Sequence, residues 1–189
     1  MILGITGGTG CGKTTLLKEI EARGGLVLDC DAVYHELLTR DMELLNAIEH
    51  RFPGVVVDKK LERKRLGAIV FADEQALMDL NAITHGAIRA EIVRRLSENP
   101  ALAAIDAIAL FEGGLAELCD ATVAITAPRE DRIERLMKRD GISREYAENR
   151  INAQKSEGWF REMCGHTLHN NGTQEKFEQK CSEFLDSLL

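Results

Sequence analysis

Residues 7–14 read GGTGCGKT, glycines interleaved with small side chains and closed by a lysine and a threonine. Residue types in this order suit one task, the wrapping of a polyphosphate. Glycines let the backbone turn so that successive N–H groups point at phosphate oxygens. Lys13 adds a compact cation for the outer phosphates, and the Thr14 hydroxyl offers a ligand for Mg²⁺. Gly8, Thr9, Gly10, Cys11, Gly12, Lys13, Thr14 and Thr15 are thus expected to bind a nucleoside triphosphate. A glycine-rich turn that binds nothing is the plainer alternative. It leaves unexplained the apolar run before the loop and the helical pattern after it.

Two further groups of side chains could act on what the loop holds. Asp29 and Asp31, in LDCDAVYHELL, fall where a buried strand gives way to a helix. Ligands of open parallel sheets sit outside such strand ends, where a carboxylate can orient an attacking hydroxyl. One of the two could instead cap the helix. Arg132, Arg135 and Arg139 recur at i, i+3 and i+7 on one helical face. Guanidinium groups folded over a γ-phosphate stabilise charge in transfer; Arg139 is the first candidate and Arg135 the second, with a solvated charged face as the alternative. Cys11, near Lys13 and a helix N-terminus, is expected to favour its thiolate and to be oxidant-sensitive. His166 and His169 have no third ligand nearby in sequence and read as structural or surface histidines rather than a metal site.

The elements that must position these groups follow from periodicity. ILGIT (2–6) reads as a strand, 13–23 as a helix with Leu16, Leu17 and Ile20 on one face, and LVLD (26–29) as a second strand. Strand, helix, strand is the unit of a parallel sheet covered by helices. From 31 to 98 strand character nearly vanishes: 73–96 carries apolar residues at helical spacing, and shorter helical patterns lie at 31–51 and 62–71. LAAIDAIALF (102–111) and DATVAIT (120–126) return to strand character. Helices follow at 129–139 and after Ser143, then a short fifth strand at 166–169 and an amphipathic helix over 173–189. The expected architecture is an α/β fold of the P-loop NTPase kind, a five-stranded parallel sheet flanked by helices. Its core would take 1–30, 100–128 and 164–189, with a helical insertion at 31–99 and an arginine-rich helical segment at 129–163.

Bulk properties narrow the function. Against 31 acidic residues stand 24 basic ones, a formal charge of −7 that argues against nucleic acid or an anionic membrane surface as the main partner. No apolar run approaches the ~18 residues of a membrane-spanning helix, and the N-terminus lacks the basic region of a signal peptide. Five cysteines without a CxxC pair read as reduced thiols of a cytoplasmic protein. Nothing demands more than a monomer. A guanine-nucleotide switch would carry N-K-x-D, which is absent; a hydrolytic motor would end an apolar run in D-E, whereas Ala107 follows Asp106. A small chain with a helical insertion and a late arginine-rich segment suits a small-molecule kinase, in which a lid excludes water during transfer.

Taken together, GITGGTGCGKTT, DCDAVYHELL, LERKRLGAIVFADEQALMDLNAITH, IDAIALFEGGL, RIERLMKRDGIS with RINAQ, and HNNGT resemble the dephospho-CoA kinase family nearly end to end. The resemblance implies ATP as co-substrate with Mg²⁺, and dephospho-CoA as the acceptor, phosphorylated on its ribose 3′-hydroxyl to give CoA. It implies catalytic roles for Lys13, Asp31 and Arg139, and acceptor contacts from Asp31, Arg63, His85 and Glu112. It also implies that the 31–99 insertion is the acceptor side and the 129–163 segment a lid. The chain departs from the family pattern at Ile108 and Gly86, where proline is usual, at His35, where arginine is usual, and at Cys164-Gly165, where alanine-aspartate is usual. Without a proline kink at Gly86 the 73–96 helix is expected to run straighter. These departures keep a kinase with another acceptor open, a nucleotide or a sugar acid. A nucleotide-binding regulator that has lost transfer is the third reading, and intact Lys13, Thr14 and Asp31 speak against it.

Overall fold

The computed structural model describes residues Met1–Leu189. Along the chain run β1 (Ile2–Thr6), α1 (Lys13–Ala22), β2 (Leu26–Asp29), α2 (Cys30–Arg40), α3 (Met42–Arg51), β3 (Val56–Val57), β4 (Lys60–Leu61), α4 (Arg63–Val70), α5 (Glu74–Leu96), β5 (Ala103–Asp106), β6 (Ala121–Thr126), α6 (Arg129–Asp140), α7 (Arg144–Asn152), α8 (Glu157–Met163), β7 (His166–His169) and α9 (Gln174–Leu188). They form two compact units, Met1–Leu28 with Pro100–Leu189, and Asp29–Asn99. No helix is long and apolar enough to cross a membrane.

The first unit is a five-stranded parallel sheet in the order β2-β5-β1-β6-β7, flanked by helices. Central β1 places Ile5 opposite both Asp106 and Val123, and all its residues but Ile2 are buried. A strand covered on both faces needs such a continuous apolar run rather than alternation. Leu16 and Ile20 of α1 and Phe177, Cys181 and Leu185 of α9 pack with Leu3, Ile5 and Val123 in one core. Each fully buried aliphatic side chain there contributes roughly 1.5–3 kcal/mol of transfer free energy. Ile133 and Leu136 of α6 meet Ala147 and Ile151 of α7 in a smaller core. Gly141, at φ 65°, ends α6, and the Ser143 hydroxyl accepts the Tyr146 N–H to start α7.

The third strand is shorter than its sequence suggests. Pairing with β1 stops at Asp106, and 107–115 turns back instead: Gly113 N–H donates to Ala109 O at 2.8 Å and Leu115 N–H to Leu110 O at 3.0 Å. The apolar run persists because the turn buries Ala107, Leu110 and Leu115.

The second unit is helical. Its 31–51 pattern is two helices, because Asp41 leaves helical geometry and its carboxylate caps α3 by accepting the Glu43 and Leu44 N–H groups. Asp73 caps α5 in the same way, and α5 continues through Gly86 for 23 residues. A small hairpin, β3 against β4, was not foreseen; Asp58 and Lys59 make its two-residue turn at φ 50° and 62°.

Candidate active site

The loop between β1 and α1 is fixed from its outer side. Arg132 Nε donates to Thr9 O at 2.9 Å, Arg135 Nη1 to Gly10 O at 3.2 Å, and Asn170 Nδ2 to Cys11 O at 3.0 Å. In a trans peptide the C=O of one residue and the N–H of the next point opposite ways. Gripping the Thr9 and Cys11 carbonyls therefore turns the Gly10 and Gly12 N–H groups away from the gripping side chains, into the turn. Preorganised N–H groups cost no reorganisation when an anion arrives. The guanidinium groups behind them add positive charge, though burial pulls Arg132 below the ordinary arginine value.

This close grip explains two of the glycines. A Cβ on Gly8 would lie 2.3 Å from Arg132 Nη2, and one on Gly12 would lie 2.4 Å from Asn170 Nδ2. Gly12 also holds φ 99° as the residue before α1, a conformation that disfavours any side chain.

Lys13 opens α1 and folds back over the loop. Its Nζ donates to Gly7 O at 3.3 Å and lies 3.7 Å from Asp106 Oδ1 at the end of β5. Thr14, in the same first turn, is exposed, whereas the Thr15 hydroxyl accepts from Gln174 Nε2 at 3.3 Å. Oxygen donors at Thr14 and Asp106 are the hard ligands that suit Mg²⁺. Beside the loop lies a cavity of about 370 Å³ lined by Ala127, Arg132, Ile151, Asn152 and Gln154, among others.

Cys11 overturns one expectation. It is 2% exposed, and burial, outweighing Lys13 and Arg132, pushes its thiol up from 9.0. A thiolate is disfavoured there.

The remaining candidates are placed as follows. Arg139 does not reach the loop: its Nε and Nη2 donate to Asp140 at 2.6 and 3.0 Å, and Arg150 Nη1 donates to the same carboxylate at 2.6 Å. These cations hold Asp140 down to about 2, Arg139 above all. Glu112 is exposed in the turn after β5. In the second unit Asp29 is the cap of α2, accepting the Asp31 and Ala32 N–H groups at 2.9 and 3.1 Å. The Asp31 carboxylate stays exposed in the first turn, with its carbonyl 2.6 Å from His35 Nδ1. Arg63 opens α4, exposed, and His85 lies half-buried on α5. Sequence reasoning put Arg132 on the same helical face as Arg135 and Arg139 but looked to those two for the role, and it missed Asp106, Gln154 and Asn170. The apolar run ending in aspartate was the only signal for Asp106.

Strand, amide-lined glycine loop, lysine against a strand-end carboxylate and an arginine-bearing helix clamped on the loop define a P-loop kinase. Residues 1–176 match the family model for dephospho-CoA kinase. A dephospho-CoA kinase of Anaeromyxobacter dehalogenans is 36% identical over 193 residues, 99% of this chain and 92% of its own. A solved structure from Thermus thermophilus aligns with a TM-score of 0.83 at 33% identity, covering 100% of this chain and 98% of its own. A dephospho-CoA kinase from Campylobacter jejuni aligns with a TM-score of 0.69 at 27% identity, covering 99% and 96%. The chain belongs to the dephospho-CoA kinase family.

Proposed function

We propose that the protein transfers the γ-phosphoryl group of ATP to the 3′-hydroxyl of dephospho-CoA, giving CoA and ADP. The observation that carries this reading is the externally clamped loop with Lys13 beside Asp106, in a chain of this family. Amides of the 8–14 loop that are turned inward, those of Gly10 and Gly12 among them, hold the phosphates, Lys13 exchanges Asp106 for the β- and γ-oxygens, and the cavity beside Arg132 takes the base. Thr14 and Asp106 would hold Mg²⁺, which would neutralise phosphate charge. Asp31 accepts a hydrogen bond from the incoming hydroxyl and orients it, while Arg63, His85 and Glu112 contact the acceptor. Arg139, released from Asp140, reaches the transferring group and stabilises its charge. Residues 129–163 close as a lid, and 31–99 receive the acceptor. Five free thiols suit a reducing cytoplasm, and we take the active form to be a monomer of 21.0 kDa, which light scattering checks.

The decisive assay offers purified protein ATP and Mg²⁺ with dephospho-CoA, adenosine or AMP and follows ADP release. Turnover with dephospho-CoA alone is expected. Turnover with another acceptor, or binding without turnover, contradicts the proposal. Lys13→Ala is expected to abolish transfer, and Asp31→Asn to cut kcat far more than ATP affinity; normal turnover by Asp31→Asn removes its assigned role.

A further inference from the structure

Both backbone polar groups of Thr9 are held by side chains distant in sequence. Its N–H donates to Gln154 Oε1 at 2.8 Å, and its C=O accepts from Arg132 Nε at 2.9 Å. Arg132 Nη2 in turn donates to the same Gln154 oxygen at 3.3 Å, which closes a ring of three residues. Thr9 and Arg132 are 8% and 9% exposed, so water competes little for these bonds. Gly8 belongs to the arrangement, since a Cβ there would lie 2.3 Å from Arg132 Nη2 and 3.1 Å from Gln154 Oε1.

Gln154 lies in the short connection from α7 to α8. Its N–H donates to Ile151 O at 3.2 Å, tying it to the end of α7. The Ser156 hydroxyl then accepts the Trp159 N–H at 3.1 Å and starts α8. Lys155 Nζ sits 5.5 Å from the centre of the Trp159 ring, and that ring meets Phe111, in the turn after β5, edge-on at 6.0 Å. A change in the loop at Thr9 thus has a short physical route to the one tryptophan of the chain.

We propose that Gln154 is a positioning residue for phosphoryl transfer. By accepting from the Thr9 N–H it fixes the peptide between Gly8 and Thr9, and by accepting from Arg132 it steadies the guanidinium that holds the Thr9 C=O and so orients the Gly10 N–H. It also makes the 153–159 segment respond to nucleotide. An amide suits the place: its oxygen satisfies a peptide donor and a guanidinium together, whereas an apolar side chain would leave both donors unsatisfied beside a buried arginine. The inference rests on residues 7–14 being the triphosphate cradle.

The test compares wild type, Lys13→Ala, Gln154→Leu and Gln154→Glu by steady-state kinetics, thermal melting and Trp159 fluorescence on adding ATP with Mg²⁺. Gln154→Leu is expected to raise KM for ATP about tenfold or more, to leave KM for dephospho-CoA unchanged, and to lose the fluorescence response of wild type. Gln154→Glu keeps an acceptor oxygen at the same reach and is expected to recover most of the loss. A merely structural role would instead lower the melting temperature and raise both KM values together, which overturns the proposal. So does an unchanged KM for ATP in Gln154→Leu, or a Gln154→Glu variant no better than it. Should Gln154→Leu not fold, wild-type fluorescence decides: a Trp159 signal indifferent to ATP overturns the inference, and a response supports it. If Lys13→Ala keeps wild-type activity, the cradle reading itself fails; if it is inactive while Gln154→Leu matches wild type, only the role of Gln154 falls.

Discussion

Cys11 occupies a place where two opposing effects can be ranked. Lys13 and Arg132 pull its proton off, while burial among Leu3, Leu16 and Phe177 holds the proton on, and burial is the larger effect. Burial also pushes Cys119 and Cys181 up to about 12 and Cys164 up to about 11. Because each of these thiols stays protonated well above neutrality, native protein at pH 7.5 is expected to react with iodoacetamide far more slowly than a free thiol does. Rapid labelling of Cys11 at that pH, blocked by ATP, would sink this ranking. Asp106 is the counterpart on the acidic side. Asp106→Asn is expected to lower kcat about a hundredfold or more through lost positioning of Lys13 and of the metal, with Tm nearly unchanged. Wild-type kcat would remove it from the site. The loop was legible because phosphate binding demands glycines and a lysine at fixed local spacing. Its clamps were not, since Arg132, Gln154 and Asn170 lie 123, 145 and 159 residues from the loop residues they hold. Nothing local marks such pairings.

Helices of the second unit are bound together as much by charge as by apolar packing. Glu91, 8% exposed on α5, accepts from Arg94 and Arg95 one turn on and from Arg40 at the end of α2, and Arg95 also reaches Glu36. Arg94 first, then the other two, hold the Glu91 carboxyl well below its ordinary 4.5. A carboxylate lowered on folding contributes stability that is complete above its unfolded value and is lost as pH falls below it. Glu91→Gln is therefore expected to cost about 1–3 kcal/mol at pH 7, less than a fully buried pair because the arginines reach solvent. The cost should shrink as pH drops below about 4.5, where wild type loses the same interaction. A variant equally stable at pH 7 by urea unfolding would show the network to be inert. Periodicity found α5 because six apolar positions repeat at helical spacing over its length. It overran β5 because a buried turn and a buried strand carry the same apolar letters. It missed β3 and β4, since two residues per strand cannot display an alternation.

At the scale of the whole chain, each unit carries its own interior. Leu44, Leu45, Ile48, Phe52 and Ile92 are almost fully buried within 29–99, and Leu3, Ile5, Leu16, Val123 and Phe177 within the sheet unit. Units with separate cores open with separate free energies. A ligand stabilises only the states that bind it, by RT ln(1 + [L]/Kd), or about 2.7 kcal/mol at a hundredfold excess over Kd. If ATP is held by residues 7–15 and the clamps of α6, Gln154 and Asn170, all in the first unit, its stabilisation belongs there. Hydrogen exchange in saturating ATP with Mg²⁺ is therefore expected to slow core amides of β1, β5 and β6 by about a hundredfold. Amides of α3 and α5 should keep their own rates until dephospho-CoA is added. Equal slowing of α3 and α5 by ATP alone would mean that 29–99 cannot open by itself. Slowing confined to α3 and α5 would place the nucleotide on the wrong unit, and the phosphate loop would lose its assignment.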